Sequence, residues 1–437
     1  MTLMERVGAA QAESGQFVLD ANAWMLDELK DEVGAIIAGD TLASLAVDNP
    51  KRARSELKSA MKSVFATPKW AARSNDAKDR LSVELLDTVF GLGPLQPLVE
   101  DVDVTEIMVN GIDAVFVERF GVIEPYGALF ASTAQLRSLI DRILAPLGRR
   151  VDESSPMVDA RLPSGHRVNV VIPPIALDGP AITIRKFTER AMRLEEMERT
   201  GSFDGRVAKL LRWAVVSRKN VAVCGGTGSG KTTMLNALSC VIDSHERIVT
   251  IEDSAELRFT EHPHVVRMEA RSRNAEGVGE VSIRDLVRNA LRMRPDRIIV
   301  GECRGAEALD MLSAMNTGHD GSLTTLHANS PEDMMMRLVT MVRYGMDLPV
   351  EVIEANIASA LDVVVQVSRD RDGRRFVSSI ASVEHGIDCP CCIREAFVRV
   401  SMDGEGEWKE CPSWVEGACA RGLIDEGEVA LWKAECF

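Results

Sequence analysis

Aromatic side chains are scarce in this chain. Only 5% of its 437 residues are aromatic, and two of those are tyrosine, which leaves little surface on which to stack nucleobases. Positive charge is also in deficit: 51 Lys and Arg stand against 66 Asp and Glu, for a net charge of −15. A dedicated nucleic-acid binder shows the opposite balance, so that class is disfavoured. No uninterrupted apolar run reaches the length of a membrane span. The stretch Met1-Thr2-Leu3-Met4-Glu5-Arg6 lacks the basic-then-apolar form of a signal peptide. These absences predict a cytoplasmic protein that could still dock on a membrane protein. A disulfide framework is not in view either. Cys224, Cys240 and Cys303 lie in apolar segments and read as buried thiols. Cys389, Cys391, Cys392, Cys411, Cys419 and Cys436 crowd the end of the chain, with one C-x-x-C and His385 nearby. That is half of a zinc pattern, and free thiols are the stronger reading. What remains is ample: 46% hydrophobic and 27% charged residues describe a globular protein. The length calls for two or three domains.

The densest information sits in Gly225-Gly226-Thr227-Gly228-Ser229-Gly230-Lys231-Thr232, which fits G-x-x-x-x-G-K-[ST]. Strand formers Asn220-Val221-Ala222-Val223-Cys224 precede it, and a helix-compatible run from Thr233 follows. Glycines let backbone N–H groups converge on an anion, and the helix N-terminus adds partial positive charge. Lys231 is placed to reach the β- and γ-phosphates of a nucleoside triphosphate, and Thr232 to ligate Mg2+. The context of strand, loop and helix makes an ordinary glycine-rich turn a poor alternative.

Around this loop the chain divides by pattern. Residues 1–75 read as a helical extension, with Trp24, Met25, Leu26, Leu29 and Val33 at helical spacing. Residues 76–188 read as an α+β domain: a helix to Phe90 stopped by Gly91-Leu92-Gly93-Pro94, strands near 106–111, 114–118, 168–172 and 181–185, and a helix from Thr133. A charged linker is expected over 189–201, opening at Thr188-Glu189-Arg190. From 202 to 385 helices and strands alternate, implying a mostly parallel sheet covered on both faces. Ser282 with Asp285, and Ser330-Pro331-Glu332-Asp333, mark helix starts. Asp370 to Arg374 reads as a hairpin turn. Residues 386–437 form a cysteine-rich tail of unassigned role.

Several strand ends carry chemistry. Arg297-Ile298-Ile299-Val300 runs into Gly301-Glu302, so a carboxylate leaves the edge of an apolar strand where ligands bind in open α/β sheets. Such a group can polarise an attacking water. Glycine stands at 301, where an aspartate before the glutamate is usual, so metal support must come from elsewhere. Glu252 and Asp253, at the end of Thr250-Ile251-Glu252-Asp253, are the candidates beside Thr232, partly through water. His319 and His327 bracket another short strand. Arg161, Arg167 and Arg185 end or flank strands before the linker, and arginines of this kind stabilise charge on a transferred phosphoryl group.

Together these segments resemble the ATPases of type II and type IV secretion systems, closest to the CpaF-like branch that drives tight-adherence (Tad) pilus assembly. The resemblance covers roughly residues 80–385. It is carried by Glu106-Ile107-Met108-Val109-Asn110-Gly111, Val117-Glu118-Arg119, Ser155-Pro156-Met157-Val158-Asp159-Ala160-Arg161-Leu162-Pro163, the phosphate loop, Thr250-Ile251-Glu252-Asp253, Gly301-Glu302-Cys303-Arg304-Gly305 and Thr324-Thr325-Leu326-His327-Ala328-Asn329. It implies an α/β fold, with a RecA-like P-loop ATPase domain preceded by a smaller, mobile α+β domain. It also implies a hexameric ring, ATP and Mg2+ as ligands, and an inner-membrane platform protein as partner at the inner face of the membrane. By position, Glu302 matches the catalytic glutamate, Glu252 and Asp253 an aspartate box, His327 a histidine box, and Arg161, Arg167 and Arg185 the arginines of the first domain. Ser164-Gly165-His166 departs from the more usual Asp-Gly-Ser turn. Two alternatives remain open: a nucleic-acid translocase of a conjugation-like system, and a nucleotide-gated binding protein that hydrolyses little.

Overall fold

The computed structural model describes residues 19–187, 192–259, 262–271, 273, 278–386 and 390–437. The opening of the expected linker, Thr188-Glu189-Arg190, and Cys389 of the C-x-x-C lie outside the described residues. The chain divides into two compact units, Met1–Phe187 and Thr188–Phe437.

The first unit begins with helices Leu19–Ile36, Gly39–Asp48, Pro50–Phe65, Pro68–Ala71 and Asn75–Phe90. They share a core that includes Leu29, Leu57, Trp70, Leu81 and Leu85. Leu81 and Leu85 stand one helical turn apart on the inner face, so the helical layer continues to Phe90, past the limit of 75 expected from sequence. Gly91 caps it, its N–H bonded to the Asp87 carbonyl.

Six strands follow: β1 (Val104–Asn110), β2 (Ala114–Arg119), β3 (Val122–Gly127), β4 (Met157–Arg161), β5 (Arg167–Val171) and β6 (Ala181–Arg185). They form one antiparallel sheet in the order β3-β2-β1-β6-β5-β4. Alternate residues Ile107, Val109, Val115, Val117, Val168, Val170, Ile182 and Ile184 are buried in the same core as Leu136, Leu139, Ile140 and Ile143 of helix Thr133–Leu144. This is the period-two pattern of a sheet with one face packed.

The second unit holds a nine-stranded sheet: β7 (Val221–Gly225), β8 (Ile248–Glu252), β9 (Val265–Glu269), β10 (Arg297–Val300), β11 (Leu323–His327), β12 (Val363–Arg369), β13 (Arg375–Glu384), β14 (Cys392–Val398) and β15 (Glu407–Trp408). The order is β15-β14-β13-β12-β7-β11-β10-β8-β9. From β12 through β9 all neighbours are parallel, whereas β13, β14 and β15 continue the sheet antiparallel. Every residue of β7, β8 and β10 is buried, as expected for strands covered on both faces. Val221 and Val223 of β7 join one core with Leu210, Leu211, Leu235 and Leu238. Ala222 and Cys224 point the other way, into a core with Val287, Leu312, Leu338 and Ile357.

Two sequence expectations change here. Within 192–201 the chain forms helix Leu194–Arg199, whose Leu194 and Met197 are buried in the first of these cores. That stretch is part of the second unit's packing, not an exposed connector. Beyond 385 the chain also stays in the fold. Strands β14 and β15 extend the sheet, and helices Ser413–Ala420 and Glu426–Cys436 bury Val415, Ala418, Val429 and Trp432 against the same core. Trp432 packs edge-on against Trp213 and Trp408, with ring centroids at 5.5 and 4.9 Å. Its indole N–H donates to the Arg206 carbonyl. Among the described residues no helix is long and apolar enough to cross a membrane.

Candidate active site

Strand β7 is the first strand of its unit in sequence, yet it sits between β11 and β12. Strand order reverses at this point, and the crevice beyond the carboxyl ends is where open α/β sheets bind ligands. β7 ends at Gly225, pressed against β12: a Cβ at Gly225 would stand 2.3 Å from the Val367 carbonyl oxygen. Helix Lys231–Ser239 follows the loop. Its N-cap is Gly230, with φ of 99° and no side chain capping the first turn. That φ is one only glycine adopts without strain, and it leaves the helix N–H groups facing the loop. The Ser229 hydroxyl donates to the Gly226 carbonyl at 2.9 Å. Thr232 and Thr233 occupy the first turn of the helix.

Lys231 is largely buried. Its Nζ donates to the carbonyls of Gly225 (3.0 Å) and Gly226 (2.8 Å) and lies 3.3 Å from Nδ1 of His327. His327 ends β11 directly opposite Gly225. Its other nitrogen, Nε2, is 3.0 Å from Oε1 of Glu302, although that oxygen, buried, makes no hydrogen bond. Glu302 follows β10, and its Oε2 accepts a hydrogen bond from Nη2 of Arg304 at 2.6 Å. Arg304 also places Nη1 3.8 Å from Oδ2 of Asp253. Lys231, His327, Glu302, Arg304 and Asp253 thus form a continuous line of polar and charged side chains along the strand ends. Burial, and next the Lys231 ammonium, lower the pKa of His327 against the opposing pull of Glu302. Both favour the neutral ring.

Glu252 ends β8 and is 2% exposed. Oε2 accepts the backbone N–H groups of Glu256 and Leu257, at 2.6 and 2.8 Å, while Oε1 is buried with no hydrogen-bond partner. Burial pushes its carboxyl up to about 7, against the pull of those two backbone donors. The glycine before Glu302 now has a reason. A Cβ at Gly301 would stand 2.8 Å from Cγ of Glu252, so Glu252 fills the space that a side chain at 301 would need.

In the first unit the three arginines come together. Arg161 and Arg167 are direct partners across β4 and β5, and Arg167 and Arg185 across β5 and β6. The row continues to Glu106, paired with both Arg185 and Glu118. Directly opposed residues share a face, and like charges so opposed repel. Arg161 also stacks on Phe187, its guanidinium 5.5 Å from the ring centroid. Nδ1 of His166 accepts the Phe187 N–H at 3.0 Å. The histidine of the Ser164-Gly165-His166 departure therefore fixes the end of this unit's chain.

Three sequence readings are corrected or extended. His319 lies before β11, where Nδ1 meets the Ala314 carbonyl, at the opposite end of the strand from His327. Cys240 is exposed, whereas Cys224 and Cys303 are buried, because Cys240 follows the last helical turn at the surface. Arg304 was missed as a site residue. Its signal was its position two residues after Glu302, close enough to turn back on that carboxylate. Among the described residues no group of three or more His, Cys, Asp or Glu side chains is arranged to hold a metal on its own.

The family described as type II/IV secretion system protein matches this sequence over residues 89–396. The chain belongs to that family. Within it, the Mycobacterium tuberculosis protein Rv3659c is 40% identical over 297 residues, covering 67% of this chain and 84% of that protein. The type IV secretion system protein VirB11 of Brucella suis is 36% identical over 307 residues, covering 64% and 84%. The conjugal transfer protein TrbB of Rhizobium radiobacter is 34% identical over 281 residues, covering 63% and 83%. Among solved structures, the Legionella pneumophila ATPase DotB aligns with a TM-score of 0.50 at 24% identity, over 69% of this chain and 82% of that one. At that identity the likeness concerns the fold alone.

Proposed function

We propose that this secretion-family protein is a Mg2+-dependent ATPase that powers assembly of a pilus or movement of protein across the cell envelope, on the CpaF-like Tad branch of the family. The observation that carries the reading is the line Lys231–His327–Glu302 beside the glycine-rich loop. It sets the Lys231 ammonium and the Glu302 carboxylate beside the loop, which supports roles in binding phosphate and activating water. The loop N–H groups from Gly226 to Thr233 and the Lys231 ammonium hold the triphosphate. Glu302 accepts the proton of a water that attacks the γ-phosphorus as the bond to the bridging oxygen breaks, giving ADP and phosphate. Arg304 holds Glu302 by one oxygen and so orients it, and His327 spaces it from Lys231. The unpartnered buried oxygen of Glu252, with Asp253 and the Thr232 hydroxyl, suits the hydration shell of a divalent cation. Mg2+, when bound there, would neutralise charge on the β- and γ-phosphates. Arg161, Arg167 and Arg185 are proposed, on the resemblance, to meet that charge.

The further readings follow from the resemblance: a hexameric ring, and a cytoplasmic location at the inner face of the membrane on a platform protein. A second reading, a translocase serving conjugation, is favoured by the likeness to TrbB. The net charge of −15 counts against direct contact with nucleic acid. Turnover that rises strongly with DNA would select it. The nucleotide reading itself is tested with Lys231→Ala, which removes the cation on the β- and γ-phosphates. Binding and hydrolysis of ATP should both be lost with the fold intact, whereas retained turnover in a folded variant would refute the assignment.

A further inference from the structure

Glu302 stands past the end of β10, where regular pairing with both neighbouring strands has stopped. The last pairs are Val300 with Thr324 of β11 on one side and Val300 with Ile251 of β8 on the other. Glycine at 301, which the closeness of Glu252 requires, leaves the peptide entering Glu302 with freer torsions than a residue bearing a Cβ would. A carboxylate that must face one point beside the phosphate loop therefore needs a restraint from outside these ladders.

Thr325 supplies one on both sides of Glu302. Its hydroxyl donates to the Gly301 carbonyl at 2.6 Å, the oxygen of the peptide entering Glu302. The Cys303 N–H, in the peptide leaving Glu302, donates to the Thr325 backbone carbonyl at 2.9 Å. The two peptide planes whose rotation sets φ and ψ of Glu302 are thus tied to a single residue. Thr325 is itself fixed, being 1% exposed and paired with Val223 of β7 within the parallel ladder. β11 lies between β7, which leads into the phosphate loop, and β10, which leads into Glu302. A second buried hydroxyl ties the same strand near its other end. The Ser322 oxygen accepts the Ile298 N–H at 3.2 Å and donates to the His319 carbonyl at 2.7 Å.

We propose that Thr325 is a positioning residue for Glu302: its hydroxyl holds the backbone on which the carboxylate is mounted, and so governs hydrolysis and not nucleotide binding. The proposal rests on the reading of Glu302 as the group that activates water. Thr325 is buried and acts through Glu302. Without the hydroxyl the carboxylate departs from the geometry of attack and kcat falls, while the loop N–H groups and Lys231 hold ATP as before.

The test is phosphate release at saturating ATP, with titration of a fluorescent ATP analogue, on the full chain as wild type, Thr325→Val, Thr325→Ser, Ser322→Ala, Glu302→Gln and Lys231→Ala. Thr325→Val keeps the shape of the side chain and removes the hydroxyl, so kcat should fall about tenfold or more with ATP affinity unchanged. Thr325→Ser restores the donor and should regain most of that turnover. Ser322→Ala removes a hydroxyl that is also buried, and should lower the melting temperature while leaving kcat near the wild-type value. Thr325→Ala removes the Thr325 hydroxyl without added bulk and is read in the same way if the valine variant does not fold. Wild-type kcat in Thr325→Val, or a loss that serine does not restore, overturns the proposal. So does an equal loss of kcat in Ser322→Ala, or a parallel loss of ATP affinity in Thr325→Val, since either marks general loosening of the sheet. Glu302→Gln turning over at the wild-type rate, or Lys231→Ala binding ATP, would instead remove the reading of the site on which the proposal stands.

Discussion

Burial of Glu252 sets a titration that can be followed without any nucleotide. Its carboxyl is pushed up to about 7 by burial, while in the unfolded chain it returns to the ordinary carboxylate range. As pH falls through 7, the folded protein takes up a proton that the unfolded chain does not bind, so this group favours folding at low pH and loses that contribution as pH rises. Glu252→Gln removes the titration. Its melting temperature relative to wild type should therefore rise from pH 5 to about pH 7 and level off above that. A difference that is flat with pH would show that Glu252 is ionised in the fold at every pH tested. Glu252, Glu302, His327 and Lys231 were legible as strand-end residues, because apolar runs terminating in a polar side chain mark the ligand edge of a parallel sheet. Arg304 was not, because an arginine in a loop has no pattern until the chain is folded around it.

The row of arginines across β4, β5 and β6 exists only as a property of the sheet. In sequence Arg161, Arg167 and Arg185 are scattered, and register alone brings them side by side. Their contribution should be greatest as charge shifts in the transition state. Arg185→Ala should lower turnover by about tenfold or more with a smaller change in nucleotide affinity, and Arg161→Ala and Arg167→Ala should share the effect. Near-normal turnover in all three would mean that these arginines take no part in the reaction. The strands bearing clear alternation, β1, β2, β5 and β6, were readable from period two. β3 and β4 were not, since each lies at an outer edge of the sheet and none of its residues is fully buried.

The second unit is one body from Leu194 to its final helix, with the segment after 385 inside it. This was the least legible part of the sequence, because its last strand is two residues long and its buried residues, from Ala396 to Trp432, are spaced among exposed polar ones. Trp432 is 1% exposed and joins Trp213 and Trp408 in a common cluster. Trp432→Ala should therefore destabilise the unit by about 3–5 kcal/mol, the range for truncating a buried aromatic, as read by chemical denaturation. An unchanged midpoint would return the segment to the status of an appendage. For the molecule as a motor, the decisive measurement is phosphate release and ATP affinity of Glu302→Gln beside the wild type. Glutamine keeps the size of the side chain and removes its ability to take a proton from water. ATP should bind with near wild-type affinity while turnover falls by about a hundredfold or more. Turnover at the wild-type rate, or loss of ATP binding itself, would contradict Glu302 as the group that activates the water.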